Sequence, residues 1–182
     1  MTHEERMRLA EDYAQQLYDA LQEILPRSPN ESDFRCQVDS LLKSFCHAAG
    51  IDAPAQTEYT LACGRADAVF NRLIIEYKRP GVLGDSLEHS GTQSAIRQLK
   101  KYLTDLAKKE RHELARLAGV VFDGCYLVFV RYRDGNFAVE HPVPATPESL
   151  ERWLTWLAST ASGIALTPEN LTRDFGIEQL RT

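Results

Sequence analysis

Apolar residues in the first fifty positions recur at helical spacing. Leu9, Tyr13, Leu17, Ala20, Leu21 and Ile24 form one stripe, which predicts a helix from about Glu4 to Leu25, ended by Pro26. Ser28-Pro29-Asn30-Glu31 reads as a capping box that opens a second helix over about residues 29–49, closed by Gly50. Glu31, Phe34, Val38, Leu41 and Phe45 share one face of it. The pattern then shortens to strands near 57–62, 66–70 and 73–78. Gly81 to Gly91 reads as a loop, a simple connector or a contact segment for a bound polymer. Ala95, Leu99, Leu103 and Leu106 restore the helical stripe over 92–108. Strands at 119–122 and 125–131 follow, with Asp123-Gly124 as their turn, and Asp134-Gly135-Asn136 leads into a strand over 137–143. Pro147 opens a last helix through Trp153, Leu154, Trp156 and Leu157, with both tryptophans expected in the core. The order predicts an α/β fold: an α-β-β-β-α-β core with helices added at both ends. The long strand–helix–strand crossover favours a mixed sheet.

Two of these strands carry charge where apolar residues dominate. They run Gly64-Arg65-Ala66-Asp67-Ala68-Val69-Phe70 and Leu73-Ile74-Ile75-Glu76-Tyr77-Lys78. Buried charge is costly unless it is paired or binds a metal. With Asn71-Arg72 as a two-residue turn, Phe70 faces Leu73 and Asp67 faces Glu76. Opposed residues share a face with Cβ atoms roughly 4.5–5.5 Å apart. Lys78 falls on the face of Glu76 by alternation. Two carboxylates and an ammonium would converge, and a hard divalent cation would relieve the carboxylate repulsion. The competing reading is an exposed ion pair between Glu76 and Lys78 on an edge strand.

Asp67 followed by Glu76-Tyr77-Lys78 resembles the core of the PD-(D/E)xK nuclease superfamily, with Ala66-Asp67 in place of Pro-Asp. Arg65-Ala66-Asp67-Ala68-Val69 and Ile75-Glu76-Tyr77-Lys78-Arg79-Pro80 are similar to nuclease domains that begin large bacterial restriction–modification polypeptides. The likeness covers about residues 30–130. Gln98 and Tyr102, four apart on the 92–108 helix, resemble the Gln-x-x-x-Tyr motif of one branch of the superfamily. The resemblance implies a restriction-endonuclease-like fold and a Mg²⁺-dependent DNA endonuclease, with Mn²⁺ as a substitute. It implies Asp67 and Glu76 as metal ligands, Lys78 assisting the attacking water, and Gln98 and Tyr102 orienting the site. A third ligand often comes from an upstream helix, which makes Glu31 a candidate beside its capping role; Glu58 is a weaker one. A catalytically inactive nuclease-fold module that binds nucleic acid or a protein partner is the alternative. A small-molecule α/β enzyme finds no phosphate loop, dinucleotide fingerprint or nucleophile elbow in the chain.

Composition adjusts this picture only slightly. The 182 residues are 43% hydrophobic, enough for one domain with a real core. No run approaches the roughly 18 apolar residues of a membrane span, and the charged N-terminus is unlike a signal peptide; a cytoplasmic location is expected. Cys36, Cys46, Cys63 and Cys125 are scattered and read as reduced thiols. The net charge of −5 argues against DNA as partner. Around the proposed site the balance reverses, with Arg65, Arg72, Lys78, Arg79, Arg97, Lys100 and Lys101. Arg65, Arg79, Arg97 and Lys101 are the candidate DNA contacts. The expected organisation is a nuclease domain over 1–160: a helical decoration at 1–28, a core at 29–145 and a helix at 146–160. Residues 161–182 would then connect to a further domain of a longer polypeptide. Double-strand cleavage through one active site calls for a homodimer or two successive events.

Overall fold

The computed structural model describes residues 3–51, 56–61, 64–70 and 72–161, with the backbone alone at 3–4, 56–61, 64–65 and 161. The helices are α1 (His3–Ile24), α2 (Glu31–Ala48), α3 (Ser90–Glu110) and α4 (Pro147–Ala161). The strands are β1 (Gln56–Leu61), β2 (Gly64–Phe70), β3 (Leu73–Tyr77), β4 (Ala118–Phe122), β5 (Tyr126–Arg133), β6 (Asn136–Val139) and β7 (Val143–Pro144).

β1 to β6 lie side by side in chain order, with β7 paired to β5 beside β6. β3 and β4 run parallel, and all other pairs are antiparallel. The single parallel pair brackets α3, because a parallel return needs a crossover. The result is an α/β fold with a mixed open sheet and helices on both faces, as the order of elements predicts.

The two faces bury different partners. Phe70, Leu73, Ile75, Tyr77, Val120, Phe122 and Phe129 join a core with α1, α2 and α4. Trp153 and Trp156 are fully enclosed there, against Phe122 and Phe129 respectively. Ile74, Val121, Val128 and Val130 pack instead with Leu99, Leu103 and Leu106 of α3. β3 and β4 are buried along their whole length, which is why they read as near-continuous apolar runs, interrupted in β3 by Glu76.

Three local expectations are corrected. The capping box does not form. Ser28 adopts a left-handed conformation (φ 47°) that closes a 3₁₀ turn over Leu25–Arg27. α2 therefore starts later, with Asn30 as N-cap accepting from the Asp33 amide at 2.8 Å. The β4–β5 turn is displaced by one residue. Phe122 pairs with Leu127, so Gly124-Cys125 are its central residues, and Gly124 takes φ +85°. The strand expected over 137–143 is broken in two, because Pro142 has no N–H and restricts His141. β6 covers one half of β5, and β7 covers the other.

Asp134-Gly135 forms the expected hairpin turn, both residues at positive φ. The expected turn residue Asn71, Cys63 and residues 162–182 of the expected 161–182 connector lie outside the described residues, while Ala161 is the last residue of α4. Among those described, no helix is long and apolar enough to cross a membrane.

Candidate active site

The β2–β3 hairpin sets the site. Ala68 pairs with Ile75, Val69 with Ile74 and Phe70 with Leu73, the register derived from a two-residue turn. The backbone ladder stops one step before Asp67. There the side chain takes over, and Asp67 Oδ2 accepts the Tyr77 N–H at 2.9 Å. This fixes the carboxylate of β2 at the end of β3 and leaves Oδ1 for another partner. That partner is Arg35 of α2, whose Nη1 stands 3.5 Å from Oδ1.

Glu76 belongs to the sheet face covered by α3 and is 1% exposed. Its Oε1 accepts from Lys78 Nζ at 2.6 Å, while its buried Oε2 has no hydrogen-bond partner among the described residues. Lys78 donates also to Gln98 Oε1 at 3.3 Å, and Gln98 Nε2 donates to the Tyr102 hydroxyl at 2.8 Å. One continuous chain thus runs Tyr102–Gln98–Lys78–Glu76. It satisfies both ends of the glutamine amide, and the helical spacing of four makes it reachable. The exposed edge-strand pair is thereby excluded: β3 is a central strand and Glu76 is enclosed.

Burial is the main influence on the carboxyls. It pushes Glu76 up to about 7, the Asp67 charge adds to the rise, and Lys78 opposes it. Burial raises Asp67 as well, against the Tyr77 amide and Lys78. For Lys78 burial acts downward, but the adjacent Glu76 carboxylate outweighs it and the net shift is upward.

Glu31 reaches the rim of this group. Freed from capping, its exposed Oε2 accepts the Arg79 N–H at 3.0 Å. Its charge is felt at Asp67, Glu76 and Lys78. Glu58 stands across from Asp67 in the β1–β2 register, between Thr57↔Ala68 and Tyr59↔Ala66. The side chains of Glu58 and Arg65 lie outside the described residues. Arg79, Arg97 and Lys101 are exposed, the last two each one position before a member of the Gln98–Tyr102 row.

Sequence reasoning missed three participants. Arg35 and Asp39 follow Glu31 at successive intervals of four on α2, a charged row that the helical spacing could have disclosed. Asp39 is 4% exposed and accepts from the Tyr77 hydroxyl at 2.6 Å, so α2 holds β3 beside the site. Asp123, expected as a turn residue, is a fully buried anchor. Its Oδ2 accepts the Gly81 and Leu83 amides, and its Oδ1 accepts those of Cys125 and Tyr126. The loop after β3 is therefore pinned. Gly91 adds to this, since a Cβ there would collide with the Val82 carbonyl oxygen.

Among the described residues, no group of three or more His, Cys, Asp and Glu side chains is gathered as a ligand cluster. The donor set on offer is the Asp67–Glu76 pair, with Glu31 at its rim. Two carboxylates suit Mg²⁺, which is commonly held by one or two of them together with water and substrate phosphate. The buried, partnerless Glu76 Oε2 is the atom such a cation would satisfy. No protein-family model, curated protein or solved structure matches the chain.

Proposed function

We propose that this chain is a Mg²⁺-dependent endonuclease of the PD-(D/E)xK type that hydrolyses DNA phosphodiester bonds. The observation that carries the reading is the meeting of Asp67, Glu76 and Lys78 at the end of one hairpin, with Glu76 Oε2 buried and unsatisfied. An apolar sheet has no structural need for that atom, and leaving it unpaired costs stability.

In this reading Asp67 and Glu76 hold the cation, and Glu31 adds negative charge at the rim. The bound cation supplies Lewis-acid polarisation of the phosphate and a more acidic water. Lys78 sits beside Glu76, where its ammonium orients a water and offsets charge developing on the phosphoryl oxygens. Gln98 keeps Lys78 aimed there, and Tyr102 keeps Gln98 from turning. Arg79, Arg97 and Lys101 contribute phosphate contacts around the site. The strand order, the parallel β3–β4 pair and the α3 crossover agree with a restriction-endonuclease-like core. The resemblance of the strand sequences supports a role in a cytoplasmic restriction–modification or phage-defence system, as the cleavage part of a longer polypeptide.

The test is plasmid DNA incubated with Mg²⁺ or Mn²⁺, for the wild type beside Asp67→Ala and Lys78→Ala. Metal-dependent nicking is expected in the wild type. Lys78→Ala is expected to lower it by about 10²–10⁴-fold while leaving the fold intact, and Asp67→Ala to abolish it with metal binding. Retained cleavage in Lys78→Ala would sink the assignment. The second reading is a non-catalytic module for nucleic acid or a protein partner, of which the net charge of −5 favours the protein partner. An inactive wild type whose calorimetric metal titration is also flat would support that one.

A further inference from the structure

Tyr77 stands between Glu76 and Lys78 in sequence, yet its ring lies on the other face of the sheet, fully buried in the core with α2. It is bonded at both ends. Its N–H donates to Asp67 Oδ2 at 2.9 Å, and its hydroxyl donates to Asp39 Oδ1 at 2.6 Å. Of the residues that α2 buries, Phe34, Val38, Asp39, Leu42, Phe45 and Cys46, only Asp39 is charged. A carboxyl in that place is costly. Burial pushes it up, against the Tyr77 hydroxyl, Lys43 and Arg35. Packing does not require it, since Phe34 already meets the Tyr77 ring edge-on, with centroids 6.0 Å apart. Packing is non-directional, whereas a short hydrogen bond fixes direction.

Direction matters at this point of the strand. The β2–β3 ladder ends at Ala68↔Ile75, so the Tyr77 amide meets Asp67 beyond it. On the other side Tyr77 pairs with Phe122, and the Lys78 N–H donates to the Phe122 carbonyl at 2.9 Å. These bonds fix the strand end along the sheet. The pinned tip of the Tyr77 ring fixes its rotation about the strand axis, and that rotation aims the N–H.

We propose that Asp39 is a positioning residue of the metal site: through the Tyr77 hydroxyl it sets the main-chain amide that holds the Asp67 carboxylate in one orientation for a divalent cation. The inference rests on the nuclease reading above. Asp39 touches neither cation nor substrate. Its effect reaches them through one side chain and one amide.

The experiment is a Mn²⁺ titration, followed by electron paramagnetic resonance of the free ion, beside residue-resolved hydrogen exchange of the metal-free protein. It compares the wild type with Tyr77→Phe, Asp39→Asn and Asp67→Asn. Tyr77→Phe removes the hydroxyl and no charge. It is expected to bind Mn²⁺ about tenfold more weakly, and its residue 77 amide to exchange faster relative to the amides of β4. Asp39→Asn removes the charge that Arg35 and Lys43 feel but keeps an oxygen to accept from Tyr77, so it is expected to stay near the wild type in both readouts. Should the melt show Tyr77→Phe unfolded, Asp39→Ala with Tyr77→Phe carries the comparison, because it strands no buried carboxyl. Wild-type affinity in folded Tyr77→Phe or in that double variant, with Asp67→Asn abolishing binding, would overturn the positioning role and leave the metal site standing. A loss in Asp39→Asn equal to that in Tyr77→Phe would overturn it too, by assigning the effect to the charge of Asp39. Absence of Mn²⁺ binding in the wild type would overturn the metal site itself, and this inference with it.

Discussion

Glu76 shows how a single residue ties burial to chemistry. Enclosure raises its carboxyl to about 7, against an ordinary value of 4.5. Between those two values the folded, metal-free protein holds a proton there that the unfolded chain releases. The sign follows from linkage: a raised carboxyl contributes stability in full below its unfolded value and loses it as pH rises through the folded one. Asp67, also raised, adds in the same direction. The metal-free melting temperature is expected to fall by a few degrees between about pH 5 and pH 8, and Glu76→Gln is expected to flatten that slope. Metal needs the ionised carboxylate, so Mn²⁺ affinity should climb across the same interval and level off above it. A pH-independent affinity would show that Glu76 is not a ligand.

At the scale of elements, the site is held by three supports that meet on β3. α2 grips it through Asp39 on the Tyr77 hydroxyl, α3 reaches it through Gln98 on Lys78, and the following loop is fastened by Asp123. Asp123 accepts four backbone amides, two from the loop and two from its own turn. Asp123→Asn would set an NH₂ group against two of those donors. A loss of roughly 3 kcal/mol or more is expected in urea unfolding, with faster hydrogen exchange at the Gly81 and Leu83 amides. Unchanged exchange at those two amides would show that the loop is held by other contacts, such as the Gly84 amide on Thr92 Oγ1.

At the scale of the whole molecule, the net charge of −5 opposes a polyanion, while the exposed Arg79, Arg97 and Lys101 near the site attract one. Local potential governs approach more than the sum does. If α3 carries phosphate contacts, Arg97→Ala with Lys101→Ala should weaken DNA binding equally for all sequences. It should also reduce the salt slope by about two. An unaltered slope would move the DNA surface elsewhere. The two-sided core explains how the site tolerates its charge. Trp153 and Trp156 anchor one face and the leucines of α3 the other, so the polar group is confined to the end of the central hairpin.

Much of this was written locally. The Asp67–Glu76–Lys78 convergence follows from the period of two in a strand and a two-residue turn. The Gln98–Tyr102 link follows from the helical spacing of four, and the mixed sheet from one long crossover. These are short-range geometric facts, so residue order alone determined them. The N-cap, by contrast, went to Asn30 because the left-handed Ser28 closed a turn first. Asp123 became an anchor because the chain brought residues 81 and 83 to it from forty positions away. Arg35 met Asp67 only when α2 packed across the hairpin. Partners distant in sequence are chosen by packing, since closing the loop between them is favourable only once the core holds the elements together. The tertiary structure alone thus decided which distant charges meet at the site.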